Sequence, residues 1–234
     1  MNANKMDVSQ PTLLRRMTAE FLGTAFLLAT VIGSGIMAER LAGGNIAVVL
    51  LANASATGLM LVALILAFGP ISAHFNPVVT LAAAWLRSMP WSEVPAYLVA
   101  QFSGAFLGVI CANVMFGLPA YTLSTHVRSG GAQMFGEFIA TFGLMAVVIC
   151  VSRLQPMHIP YAVGAYITAA IWFTSSTSFA NPAVTIARAF SDTFAGIRLT
   201  DTPGFIVTQL AGAAVATILF AWLVPVQSAI EEQK

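Results

Sequence analysis

The stretch FANPAVTIARAF, Phe179 to Phe190, recurs in altered form as HFNPVVTLAAAW, His74 to Trp85, with the two asparagines 105 residues apart. Each copy has the grammar of a helix start. Asn stands at the N-cap, where its side chain accepts a backbone N–H, and Pro follows at the first helical position, where a missing N–H costs nothing. Short helices are therefore predicted to begin at Asn76 and Asn181. Both starts lie within long uncharged sequence. A helix broken there inside a membrane leaves backbone groups unpaired unless they line a cavity.

The surrounding sequence says that a membrane is the setting. Of 234 residues, 58% are hydrophobic and 8% charged, against about 25% charged in a soluble domain. A net charge of +1 gives no basic footprint for nucleic acid. Cys111 and Cys150 sit in apolar sequence without metal-ligand spacing and read as packed thiols. The polar start with Lys5, Arg15 and Arg16 superficially resembles a signal peptide. Glu20, an apolar run reaching Ala38 and the further spans argue instead for a first transmembrane helix after a cytoplasmic tail.

Runs of about 20 apolar residues place six spans near 14–38, 46–68, 94–117, 133–153, 160–177 and 204–226. The Asn-Pro stretches fall between spans two and three and between five and six, too short to cross and too apolar for water. Each is expected to dip in as a half-helix. Ala19-Glu20-Phe21 recurs as Gly136-Glu137-Phe138, and Gln101-Phe102-Ser103-Gly104-Ala105 as Gln209-Leu210-Ala211-Gly212-Ala213. Three landmarks repeated in order define a duplication, with repeats over 14–118 and 133–226 of a single domain, 1–234. An odd number of spans per half inverts the second half in the membrane. The fold class is thus all-α, an inverted repeat with two re-entrant half-helices that meet from opposite sides. Lys5, Arg15, Arg16, Arg87, Arg153 and Lys234 against Arg40, Arg128, Arg188 and Arg198 favour cytoplasmic termini in a cell membrane, by six to four.

Two half-helix N-termini meeting near the midplane place about half an elementary positive charge each on one spot, which repels cations. Asn76 and Asn181, their oxygens held as N-caps, can present amide donors to a passing oxygen. The non-helical residues before them, Ser72 to His74 and Thr177 to Phe179, present carbonyl acceptors. Donors at the centre with acceptors on either side describe a path for small neutral hydroxylated solutes. Glu20 and Glu137 are intramembrane carboxylates and hence functional candidates. Their repetition favours bracing of the backbone before each Asn over proton relay. His74 reads as a hydrogen-bonded residue orienting the first loop. His126 and His158 form no metal cluster, and no nucleophile, base and orienting group share a plausible site, so neither cofactor nor enzymatic activity is expected.

The paired motifs Asn76-Pro77-Val78 and Asn181-Pro182-Ala183, the two glutamates and the QxxGA repeats resemble the aquaporin, or major intrinsic protein, family from Thr18 to Val224. The resemblance implies a homotetramer in the lipid bilayer with one pore per subunit, passing water, glycerol or other small uncharged molecules. It also implies the loop-bracing role of Glu20 and Glu137. Aligned on the family, the selectivity filter falls on Thr57, Ala169, Ser178 and Val184. Val184 stands where the family usually has Arg, and Val78 where it has Ala.

A filter without aromatic, His or cation matches neither the water-selective nor the usual glycerol-conducting pattern. It resembles those of bacterial channels associated with arsenic detoxification, which pass arsenous acid and methylated arsenicals. Arg188, four residues after Val184 and on about the same helical face, is the candidate for a vestibule charge. The plainer reading, which weighs more, has it satisfying carbonyls or pairing with Asp192. The competing functions are a secondary transporter, a strict water channel and a non-conducting scaffold of the same fold.

Overall fold

The computed structural model describes residues 11–225, so Lys5, Lys234 and the last residue of the second repeat lie outside it. Eight α-helices are found among the described residues: α1 Leu13–Leu41, α2 Ile46–Phe68, α3 Pro77–Trp85, α4 Val94–Met115, α5 Gly131–Leu154, α6 Ile159–Phe173, α7 Pro182–Arg188 and α8 Thr202–Leu223. Five, α1, α2, α4, α5 and α8, are long and apolar enough to cross a membrane.

The fifth span differs from expectation. α6 has 15 residues, roughly 22 Å at the helical rise, and ends at Phe173 rather than near 177. The cause is the hydroxylated run Thr174 to Thr177. Thr174 leaves the helical region (φ −100°, ψ 139°) while its hydroxyl donates back to the Ala170 carbonyl at 2.7 Å, a local competitor of the helix. The chain completes the crossing as non-helical backbone that runs to Asn181.

The second half repeats the first: α1, α2, α3 and α4 correspond in order to α5, α6, α7 and α8. α1 packs along α4 and α5 along α8, while α2 and α6 pack together across the joint between halves. The bidentate ion pair of Arg16 with Glu93, at 2.6 and 2.7 Å, ties the starts of α1 and α4 at the end carrying the described termini. Asp201 accepts the Arg128 N–H at 2.9 Å and ties the starts of α5 and α8 at the opposite end. The two repeats are therefore inverted, with α3 and α7 entering from opposite ends. Leu59, Val99, Val207 and Trp222 are exposed on the outside of the bundle, a surface suited to lipid rather than water.

Close approach of the paired helices depends on glycine. A Cβ on Gly104 would lie 2.2 Å from the Phe21 carbonyl oxygen, and on the equivalent Gly212 2.5 Å from that of Phe138. Backbone oxygens cannot swing aside. Gly104→Ala is therefore expected to destabilise the protein although alanine favours the helix by about 1 kcal/mol, because overpacking costs about 1–3 kcal/mol. Thermal unfolding in detergent, followed by tryptophan fluorescence, measures this as a lowered midpoint. An unchanged or raised midpoint would show that the helices can separate freely.

Candidate functional site

The half-helices α3 and α7 start where the sequence places them, and one pattern of hydrogen bonds builds both. The Asn76 side-chain oxygen accepts the Val78 N–H at 3.1 Å, and that of Asn181 accepts the Ala183 and Val184 N–H groups at 3.0 and 3.2 Å. An amide has two N–H donors left over. Each asparagine spends one of them across the two-fold junction: Asn76 Nδ2 donates to the Ala180 carbonyl at 2.7 Å, and Asn181 Nδ2 to the Phe75 carbonyl at 2.8 Å. The donors expected to point into the lumen thus divide, one N–H per asparagine latching the other half and one left facing the cavity that both line.

The accepting residues are held in an unusual backbone state. Phe75 (φ 50°) and Ala180 (φ 47°) are left-handed, as are Thr177 (φ 61°) and Ser178 (φ 48°), so the residues before each Asn are not uniformly extended. For residues with a Cβ this conformation is strained. What holds it is a buried carboxylate in each half. Glu20 accepts the N–H groups of His74 and Phe75 at 2.7 and 2.6 Å, and Glu137 those of Phe179 and Ala180 at 2.8 and 2.9 Å. Gln101 and Gln209 donate to the same two carboxylates at 2.8 and 2.6 Å. They also reach Thr80 and Thr185, whose hydroxyls donate to the Asn76 and Asn181 carbonyls. His74, half-buried, shares a 3.1 Å hydrogen bond with the Thr80 hydroxyl.

A cavity of about 500 Å³ runs along this junction. At the termini end its lining includes Ser88 and Arg153, the latter committed to the Ala221 and Val224 carbonyls at the end of α8. Toward the opposite end it includes Thr57, Ser178, Val184 and Arg188. Among the described residues, no Asp or Glu belongs to the lining. The hydroxyls of Thr57 and Ser178 are buried and have no partner among the described residues. Val184 contributes an apolar surface to the lumen. Val78 instead packs with Ala82, Met145, Ile149 and the α8 residues Ala213 and Ala216, and is not part of the lining. Its extra bulk relative to Ala is absorbed behind the half-helix.

Ala169 does not take the fifth-span position assigned to it. It is exposed on the outer face of α6, whereas Val163, Ile167 and Ile171 supply that helix's lumen face. Two residues along a helix is a rotation of about 200°, enough to exchange one face for the other. Asn53 was missed altogether. It lies one turn before Thr57, donates to the Val31 carbonyl and the Ser34 hydroxyl at 2.8 and 3.0 Å, and lines the same cavity. The available signal was a strongly polar residue within an otherwise apolar span, in register with Thr57.

Arg188 does not pair with Asp192, which is exposed and accepts from the Thr125 N–H and hydroxyl instead. Its Nε donates to the Ala195 carbonyl, and its guanidinium carbon lies 3.4 Å from the centre of the Phe179 ring. Arg128 approaches the same ring at 5.1 Å. It belongs to the connection between α4 and α5, which closes over this end: Thr122 and Ser124 donate to the Phe190 and Ala189 carbonyls. Arg128 itself donates to the Gly196 carbonyl at 2.8 Å and the Thr177 hydroxyl at 3.2 Å. Burial pushes its guanidinium down to about 10, so it remains charged at neutral pH. Burial, and then the neighbouring Arg128, hold His126 below its ordinary value.

Two inverted half-helices latched over a cavity that no carboxylate lines among the described residues define a membrane channel. The model of the family described as Major intrinsic protein matches residues 7–174. An aquaglyceroporin, AqpS, of Rhizobium meliloti is 49% identical over 90% of this chain and 91% of its own length. A probable aquaporin, AqpM, of Archaeoglobus fulgidus is 33% identical over 91% and 98%. The solved aquaglyceroporin structure from Plasmodium falciparum shares the fold, with a TM-score of 0.67 at 21% identity over 91% of this chain and 95% of that one. The chain belongs to the major intrinsic protein family. It is accordingly a passive membrane channel for small neutral solutes, and not an enzyme.

Proposed function

We propose that the channel has a wide selectivity filter without the usual arginine, formed by Thr57, Ser178 and Val184 with Ile167 and Ile171 of α6. It passes glycerol-sized polyols, arsenous acid and methylated arsenicals, with protons excluded at Asn76 and Asn181. The observation that supports this reading is that Thr57 and Ser178, with buried and unpartnered hydroxyls, line the cavity beside Val184, which offers no cation. Unpartnered buried polar groups cost stability, which favours a rotation of either side chain that brings its hydroxyl into the lumen to meet a solute. Each chain is one channel domain; four assemble in the cell membrane with both termini cytoplasmic.

The transporter reading is weakened by the same geometry. Coupling needs an ion site of carboxylates or unwound carbonyls that changes exposure, and the two membrane carboxylates, Glu20 and Glu137, are absent from the lining and occupied by loop N–H groups. Stopped-flow measurements on proteoliposomes test the proposal with water, glycerol and arsenous acid. Glycerol and arsenous acid fluxes above those of empty vesicles, linear in concentration and indifferent to a proton gradient, are expected. Fluxes that saturate or follow the proton gradient would favour coupled transport, and glycerol flux equal to empty vesicles would defeat the proposal.

A further inference from the structure

Arg188 is 6% exposed, yet its only hydrogen bond among the described residues is Nε to the Ala195 carbonyl, which leaves the two terminal nitrogens without protein acceptors. A buried charge is costly unless paired and hydrogen-bonded. Among the described residues no carboxylate pairs with this one: Glu137 turns both oxygens to loop N–H groups and Gln209, and Asp192 is held by Thr125. A second buried cation, Arg128, stands over the same Phe179 ring. Both guanidiniums are fixed by stacking and by backbone carbonyls, so the positive charge is held in place rather than neutralised.

Thr57 and Ser178, each 5% exposed, line the same cavity as Arg188, and their hydroxyl oxygens are buried in its wall without a partner among the described residues. Ser178 directly precedes the phenylalanine on which the guanidinium stacks. A guanidinium with a free planar fork, two unpartnered hydroxyls in the cavity wall that can donate on rotating inward, and no carboxylate in the lining among the described residues together match a small planar oxyanion. We propose that Arg188, Ser178 and Thr57 form a binding site for a monovalent oxyanion of nitrate or carboxylate type in the vestibule. Its occupancy obstructs the passage of neutral solutes. The site thereby makes neutral-solute flux sensitive to the anions present on that side of the membrane.

The obstruction rests on the cavity being the conduction path; the site itself does not, and the test separates them. Nitrate is the probe, compared with bulky gluconate at equal ionic strength. In detergent, nitrate is expected to raise the unfolding midpoint of the native protein relative to gluconate, and to leave that of Arg188→Gln unmoved. In proteoliposomes, glycerol flux is expected to fall to roughly half when nitrate equals its dissociation constant, and Arg188→Gln to lose this sensitivity. Should that variant fail to fold, the doubly changed Thr57→Val, Ser178→Ala protein, which keeps the guanidinium, is expected to lose most of the nitrate shift. Equal nitrate effects in native and altered proteins, or none in either, overturn the site. Absence of glycerol flux without nitrate defeats the channel reading instead and leaves the thermal comparison to judge the site.

Discussion

Val184→Arg is expected to reduce glycerol permeability of proteoliposomes roughly 10- to 100-fold and to reduce water permeability much less. Val184 is 5% exposed and lines the same cavity as Thr57 and Ser178. A longer side chain there takes space that glycerol needs and a single file of water does not. A steric cost of about 1–3 kcal/mol, comparable to overpacking in a core, felt only by the bulkier solute once the filter is narrowed, corresponds to that range of rates. The new cation would also lie one helical turn from Arg188, a like-charge arrangement that costs a few tenths of a kcal/mol in an isolated helix and more where both groups are buried. Parallel stopped-flow traces with water and glycerol measure the effect. Equal losses for both solutes would mean that position 184 does not set the width of the path.

Glu137→Gln is expected to be more damaging than its near-identical size implies. The carboxylate accepts from Phe179, Ala180 and Gln209 while fully buried. A carboxamide has one oxygen, and its NH₂ group would face an N–H donor. Leaving one buried donor unpaired costs about 1–3 kcal/mol, and the left-handed backbone at Ala180 loses the support that offsets its strain. Since the Ala180 carbonyl is what Asn76 latches to, the fault reaches the other half. A lowered unfolding midpoint and joint loss of water and glycerol flux are expected. A variant that stays as stable but alters only proton-dependent flux would identify Glu137 as a relay rather than a brace.

Much of the architecture could be read from the chain because its signals are local. Asn76-Pro77 and Asn181-Pro182 set helix starts by capping chemistry that needs no tertiary context, and the repetition of Glu20, Glu137, Gln101 and Gln209 announced the inversion. The candidate site was legible where it lies close to those anchors. Ser178 and Val184 are each three residues from Asn181, so counting places them well. Ala169 failed because the count back from Asn181 passes through a non-helical segment containing three left-handed residues, and an error of two residues reverses a helical face. Arg188 was legible as far as its donation to a backbone carbonyl, but which carbonyl, and any partner of Arg128, were not. Their principal acceptors are backbone carbonyls, which every residue possesses, so no sequence pattern marks the partner.

The exchanged hydrogen bonds at the centre have the form of an isologous contact: Asn76 to the residue before Asn181, and Asn181 to the residue before Asn76. This is how two copies of one chain meet on a dyad, here enacted within a single polypeptide. Biogenesis inherits the arrangement. While the ribosome has released only the first repeat, the Phe75 carbonyl and one Asn76 N–H have no mates, and they gain them when the second repeat inserts upside down beside the first. An amino-terminal half made alone therefore carries an unfinished junction, with one donor and one acceptor at its centre left for the second half to fill.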